Sequence, residues 1–168
     1  MRAKKIASYG LLTALCLILG YLESLVPPLL PIPGMKLGLS NVVVMTALYL
    51  LGPVDALLIN GLRILISGIL FGRGVGFFYA LAGGILSGIV MILLKKTKKF
   101  GIIAVSITGG LFHNLGQLLV AYFLIGSSRI FYYLPFLWIS GIVAGAFIGL
   151  LAGIVTKYLV GSRKEPKP

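Results

Sequence analysis

Apolar residues run along this chain in long blocks, and the polar residues that interrupt them fall mostly at block ends. Six blocks, at residues 6–26, about 37–51, 54–71, 75–94, 102–125 and about 133–160, read as transmembrane helices. A proline-rich loop at 27–36 separates the first two, and Gly52-Pro53 separates the second from the third. Lys95-Lys96-Thr97-Lys98-Lys99 closes the fourth, and a charged tail at 161–168, expected to be disordered, follows the sixth. A full crossing takes about 20 apolar residues, with about 17 as the usual minimum, so the second block is short. Backbone groups in lipid must be satisfied within each segment, and the alternation of barrel strands is absent. The pattern predicts an all-α membrane protein, a six-transmembrane-helix bundle in which residues 1–168 form one domain.

Composition agrees: 59% of the 168 residues are hydrophobic and 11% charged, where a soluble domain carries about 25% charged. The formal charge of +12 raises the possibility of nucleic acid. The basic residues instead sit at block ends, where they set membrane topology and attract anionic lipid headgroups, so no nucleic-acid partner is expected. Six crossings place eleven Lys and Arg residues on the inner face with residues 1–5 and the tail, and three (Lys36, Arg73 and Arg129) on the outer face. Five crossings would split the N-terminal cluster from Lys95–Lys99, against the positive-inside rule. Both termini are therefore expected in the cytoplasm and the chain in the cell membrane. The basic start and apolar first block also look like a signal peptide, but no small-residue cleavage site follows, so the block reads as a retained helix. Cys16 is the single cysteine and reads as a buried helix residue.

Arg63 stands at the centre of the third block. An Arg there costs roughly 2.5–3.5 kcal/mol on insertion scales, and the chain has only three acids, Glu23, Asp55 and Glu165, to offset it. Asp55 lies eight residues away on the same helix, about 12 Å along its axis. Three compensations stay open: a structural pair with Glu23, an anionic or carbonyl ligand in the Arg63 fork, or backbone carbonyls and water. Asn60, Arg63 and Ser67 share one helical face, at i, i+3 and i+7. His113, Asn114 and Gln117 share another on the fifth block, which reads either as a polar clamp between helices or as substrate contact. Asn41, at the start of the second block, caps that helix or reaches a ligand.

His113 is the only histidine, with no Cys or carboxylate nearby in sequence, so no metal site is expected. The nucleotide-binding loop Gly-x-x-x-x-Gly-Lys-Ser/Thr and Asp-rich magnesium motifs are missing, so the chain is expected to be no enzyme and to need no cofactor. Gly72-Arg73-Gly74-Val75-Gly76 reads as a tight outer turn. Four-residue repeats of small residues, Ala80/Gly84/Gly88 and Gly141/Gly145/Gly149/Gly153, predict close helix contacts within the bundle or with another subunit.

The stretches Pro33-Gly34-Met35-Lys36-Leu37-Gly38-Leu39-Ser40-Asn41-Val42-Val43-Val44, Leu50-Leu51-Gly52-Pro53 and Tyr79-Ala80-Leu81-Ala82-Gly83-Gly84-Ile85-Leu86-Ser87-Gly88 resemble the substrate-binding S components of energy-coupling factor (ECF) vitamin transporters. With His113-Asn114-Leu115-Gly116-Gln117, the chain looks most like the branch called Gx transporter or heptaprenyl diphosphate synthase component I. The resemblance spans about residues 5–160. It implies an outward-facing cavity closed by the loop after the first helix, and transport powered by a separate coupling membrane subunit with two ATPase subunits. Substrate would be a small vitamin- or cofactor-like molecule, contacted by Arg63, Asn60, Asn41, Ser67, Tyr79, His113, Asn114, Gln117 and Glu23. In the family, small residues spaced Ala-x-x-x-Ala on the first helix meet the coupling subunit. Here Ala7 is followed by Leu11 and Gly10 by Ala14, leaving Ala7, Gly10 and Ala14 as the contact residues. The alternative reading is a non-catalytic membrane subunit associated with prenyl diphosphate or quinone metabolism.

Overall fold

The computed structural model describes residues 2–25, 38–71 and 74–162. The loop expected at 27–36, Arg73 and the tail from 163 onward lie outside the described residues. The elements are α1 (Arg2–Leu25), α2 (Leu39–Leu50), α3 (Pro53–Phe71), α4 (Val75–Thr97), α5 (Ile102–Ile125) and α6 (Leu134–Ser162), with a 3-10 turn at Ser128–Tyr133 leading into α6. No strand occurs among the described residues. Five of the helices are long and apolar enough to cross a bilayer, and α2, with 12 residues, is not. The chain is a multi-pass, all-helical membrane protein. Two helices run further than the apolar blocks foretell. α1 starts at Arg2 and α4 continues through Lys95 and Lys96 to Thr97, because Lys and Arg are good helix formers whatever their hydropathy.

Successive helices alternate in direction. The start of α1, the end of α2, the start of α3 and the end of α4 meet at one end of the bundle. There Lys5 Nζ pairs with Asp55 Oδ1 at 2.9 Å, and the Tyr9 hydroxyl donates to the same carboxylate. The Lys95 ammonium donates to the Leu48 carbonyl and lies 5.0 Å from the Tyr49 ring centre. It thereby satisfies one of the carbonyls that a helix C-terminus leaves open.

α2 lies inside the bundle. Ser40, Val43, Val44, Met45, Thr46, Ala47 and Leu48 are all buried, against Cys16, Ala56, Ile59, Val105, Ile148 and Ala152 from the surrounding helices. A helix this short is marginal alone, and packing on nearly every side sustains it. Large apolar side chains point outward instead, with Ile69 81% and Phe123 80% exposed, as a lipid-facing surface requires.

The two small-residue repeats are spent within the bundle. A Cβ on Gly145 would stand 2.6 Å from Ile107 Cα, and one on Gly149 2.8 Å from Ile103 Cα, so the backbones of α5 and α6 touch. On α4, a Cβ at Gly84 would stand 2.7 Å from Ile64 Cδ1, and one at Gly88 2.8 Å from Leu57 Cδ2, both on α3. Close backbone approach of this kind replaces the hydrophobic effect as the source of helix association in lipid.

Candidate functional site: a polar-lined cavity above a short helix

Twelve residues of α2 rise about 18 Å at 1.5 Å each, against a hydrocarbon layer about 30 Å thick. The shortfall leaves room inside the bundle. A cavity of about 810 Å³ opens around and beyond the first turns of α2, bounded by all six helices. All nine residues expected to contact substrate line it: Glu23 from α1, Asn41 from α2, Asn60, Arg63 and Ser67 from α3, Tyr79 from α4, and His113, Asn114 and Gln117 from α5. Ala7, Gly10 and Ala14 do not; they are exposed together on the outer face of α1.

Arg63 lies ten residues into α3, about 15 Å from its start. Its Nη2 donates to Asn60 Oδ1 at 2.8 Å, while its Nε is buried and without a hydrogen-bond partner. Asn60 in turn reaches the Gly84 carbonyl at 3.5 Å through Nδ2. The preceding residue of α4, Gly83, abuts the His113 ring, so the Gly83-Gly84 step draws the polar faces of α3 and α5 to one level.

The pair of Arg63 with Glu23 that the sequence leaves open does not form among the described residues. Glu23 is engaged elsewhere: its two carboxylate oxygens accept the Gly38 N–H at 2.6 Å and the Leu39 N–H at 3.0 Å. These amides open α2, and Gly38 takes a left-handed conformation (φ 77°) with no side-chain cap of its own. A carboxylate from α1 therefore does what an N-cap residue ordinarily does, with the helix dipole in its favour. Glu23→Gln, which keeps one acceptor and loses the charge, should destabilise the protein by about 1 kcal/mol, seen as a lower thermal midpoint in nanodiscs. An unchanged midpoint would mean that the cap contributes nothing and leave Glu23 to a ligand.

On α5 the sequence left a clamp and substrate contact as alternatives, and the residues divide between two environments. Asn114 Nδ2 donates to the Leu137 carbonyl at 2.6 Å and to Ser140 Oγ at 3.2 Å, tying α5 to α6. His113 and Gln117 instead bond each other, Nε2 to Nε2 at 3.1 Å. Ser67 Oγ donates to the Ile64 carbonyl of its own helix. Asn41 caps nothing with its side chain among the described residues and is left facing the cavity. Its neighbour Ser40 donates to the Cys16 carbonyl at 2.8 Å, and Cys16 Sγ returns a bond to the Ser40 carbonyl at 3.6 Å. Sequence reasoning took Cys16 as a packing residue and did not find this α1–α2 tie, for which hydropathy carries no signal. Much of the remaining wall is apolar or aromatic, including Phe77, Met45, Tyr133 and Leu137. Among the described residues no three His, Cys, Asp or Glu side chains gather as metal ligands.

Residues 12–155 match the family model described as heptaprenyl diphosphate synthase component I. No curated protein and no solved structure matches the chain.

Proposed function

The chain belongs to the heptaprenyl diphosphate synthase component I family, and on that footing we propose that it is the substrate-binding S component of an ECF-type importer for a small vitamin- or cofactor-like molecule. The observation that carries the proposal is a cavity of about 810 Å³ containing a buried guanidinium with an unsatisfied donor. Small-molecule pockets fall at about 300–1,000 Å³ and combine apolar walls with a few placed polar groups. In this reading Arg63 anchors the substrate, and Asn60, His113, Gln117, Asn41, Ser67 and Asn114 orient it. Tyr79 and loop 27–36 close over it, and Glu23 borders the site while holding the start of α2. In the same reading α2 counts as a short sixth crossing, and the Lys5–Asp55 end and both termini face the cytoplasm of a prokaryotic cell. Ala7, Gly10 and Ala14 meet a coupling subunit that carries two ATPases. The reading assigns the chain no catalytic step, in keeping with the structural bonds of Glu23 and Asp55.

The family description favours a second reading, a non-catalytic membrane subunit of a prenyl diphosphate-forming assembly. Purification of the tagged full chain from its native membranes, with mass spectrometry of bound small molecules and proteins, separates the two. The importer reading expects a near-stoichiometric small molecule together with a membrane subunit and two ATPases. Ala14→Leu should lose those subunits and keep the small molecule. Recovery of a prenyl-transferring enzyme, with neither ATPase nor small molecule, would establish the second reading instead.

A further inference from the structure

We infer that the cavity takes a singly charged organic oxyanion with an apolar body, and that it selects against amines, neutral analogues and diphosphates of the same body. The inference rests on the binding role proposed above and names the class of molecule that fills it.

The argument is a count of donors and charges. A guanidinium has five N–H donors in a planar fork that matches two adjacent oxygens of one anion. Arg63 uses Nη2 on a neutral amide oxygen, and its Nε–H is buried with no acceptor. No carboxylate of the described residues forms an ion pair with it, and Glu23 attracts it only from a distance. Glu23, the one acid in the described cavity wall, is held by the two amides at the start of α2.

No second cation comes from the described wall. Lys5 and Lys95 are bound at the opposite end of the bundle, to Asp55 and the Leu48 carbonyl. His113 faces the amide nitrogen of Gln117 with its Nε2. On its other side the ring lies against the Gly83 backbone. A charged imidazole there would be a second buried cation without an anion among the described residues, which desolvation disfavours. Glu23 is taken up by the two amides, so the open donors of the one cation in the described wall suit one oxyanion. A diphosphate would bring further charges near Glu23 with nothing among the described residues to offset them, and an amine would meet Arg63 itself. A neutral molecule would offer the open Arg63 donors a dipole in place of a charge. The apolar wall, including Phe77, Met45, Leu137 and Ile148, suits a hydrocarbon or aromatic body.

The test uses the full chain in phosphatidylcholine nanodiscs and four probes sharing one body: 4-phenylbutyrate, 4-phenylbutanol, 4-phenylbutylamine and 4-phenylbutyl diphosphate. Thermal midpoint and equilibrium binding are measured for each. The carboxylate should bind at least tenfold more tightly than the other three. Asn60→Asp places a carboxylate at the position now 2.8 Å from Arg63 Nη2. That variant should melt above the parent when empty and should lose the carboxylate probe, a combination that a misfolded variant cannot give. The inference is overturned if the alcohol, amine or diphosphate binds as well as the acid. It is also overturned if Asn60→Asp binds the acid like the parent, or if no probe binds. The importer reading stands or falls separately. Uptake of a neutral or cationic molecule keeps that reading and overturns the oxyanion, whereas acid binding without coupling subunits or uptake does the reverse.

Discussion

Arg63→Met should give an empty protein about 2 kcal/mol more stable than the parent, because even buried ion pairs replaced by apolar side chains of similar volume are often neutral or stabilising by about 1–4 kcal/mol, and this guanidinium has no ion pair among the described residues to lose. The same variant should lose its ligand. In the parent, the guanidinium is taken from water into the middle of a lipid-embedded bundle and donates one hydrogen bond, to Asn60 Oδ1, in return, with Nε unsatisfied. Methionine removes the desolvated charge, fills part of the same space and asks for no partner. Asn60 keeps its contact with the Gly84 carbonyl, so little else is orphaned. Denaturation midpoints in nanodiscs, read alongside the amount of co-purified small molecule, check both halves. A clear loss of stability in Arg63→Met would identify the guanidinium as a structural tie and remove the principal anchor from the proposed site. The expected gain is the usual relation between stability and function at a site kept uncompensated for a ligand.

Gly145→Val should destabilise by about 3 kcal/mol, the upper part of the usual overpacking range, and collapse the ligand site with it. The first added carbon meets Ile107 Cα at 2.6 Å, the Ser106 carbonyl oxygen at 2.8 Å and Ile107 N at 3.1 Å. All three are backbone atoms of α5, so no rotamer change relieves the clash and the two helices must separate. The Asn114 bonds to Leu137 and Ser140 lie on the same α5–α6 seam, and α5 also carries His113 and Gln117. Gly10→Val is the matched control. No atom stands within 4 Å of a Cβ there, so its thermal midpoint should equal that of the parent. Size-exclusion profiles and melting curves of the two variants report the difference directly. Equal stability of the two would show that α5 and α6 are not in backbone contact.

Much of the site was legible as a list of residues before any fold was known. A polar side chain inside an apolar block has to face the bundle interior, and helical spacing groups Asn60 with Arg63 and Ser67, and His113 with Asn114 and Gln117. All of these line one cavity, with Tyr79, Asn41 and Glu23. What each residue does there was far less legible. Glu23 looked like the rival partner of Arg63 because acids are scarce, yet it serves Gly38 and Leu39 across the loop. Asn114 and Gln117 share a helical face in sequence, but one ties α5 to α6 and the other holds the His113 ring. Hydrogen-bond partners are chosen by ångström-scale placement between helices, and spacing along one helix does not encode that.

The division follows from the range of the forces. Burial in lipid is governed by the transfer free energy of each residue, a property local in sequence. The linear pattern therefore suffices for an all-helical membrane protein, five of its long helices and the anomaly of a mid-span Arg63. Satisfaction of donors and acceptors, and the filling of space, depend on pairs of groups far apart in the chain. A 12-residue α2 short enough to leave a chamber, a carboxylate from α1 at its start, and a guanidinium left with an open donor exist only once α1 to α6 are packed together.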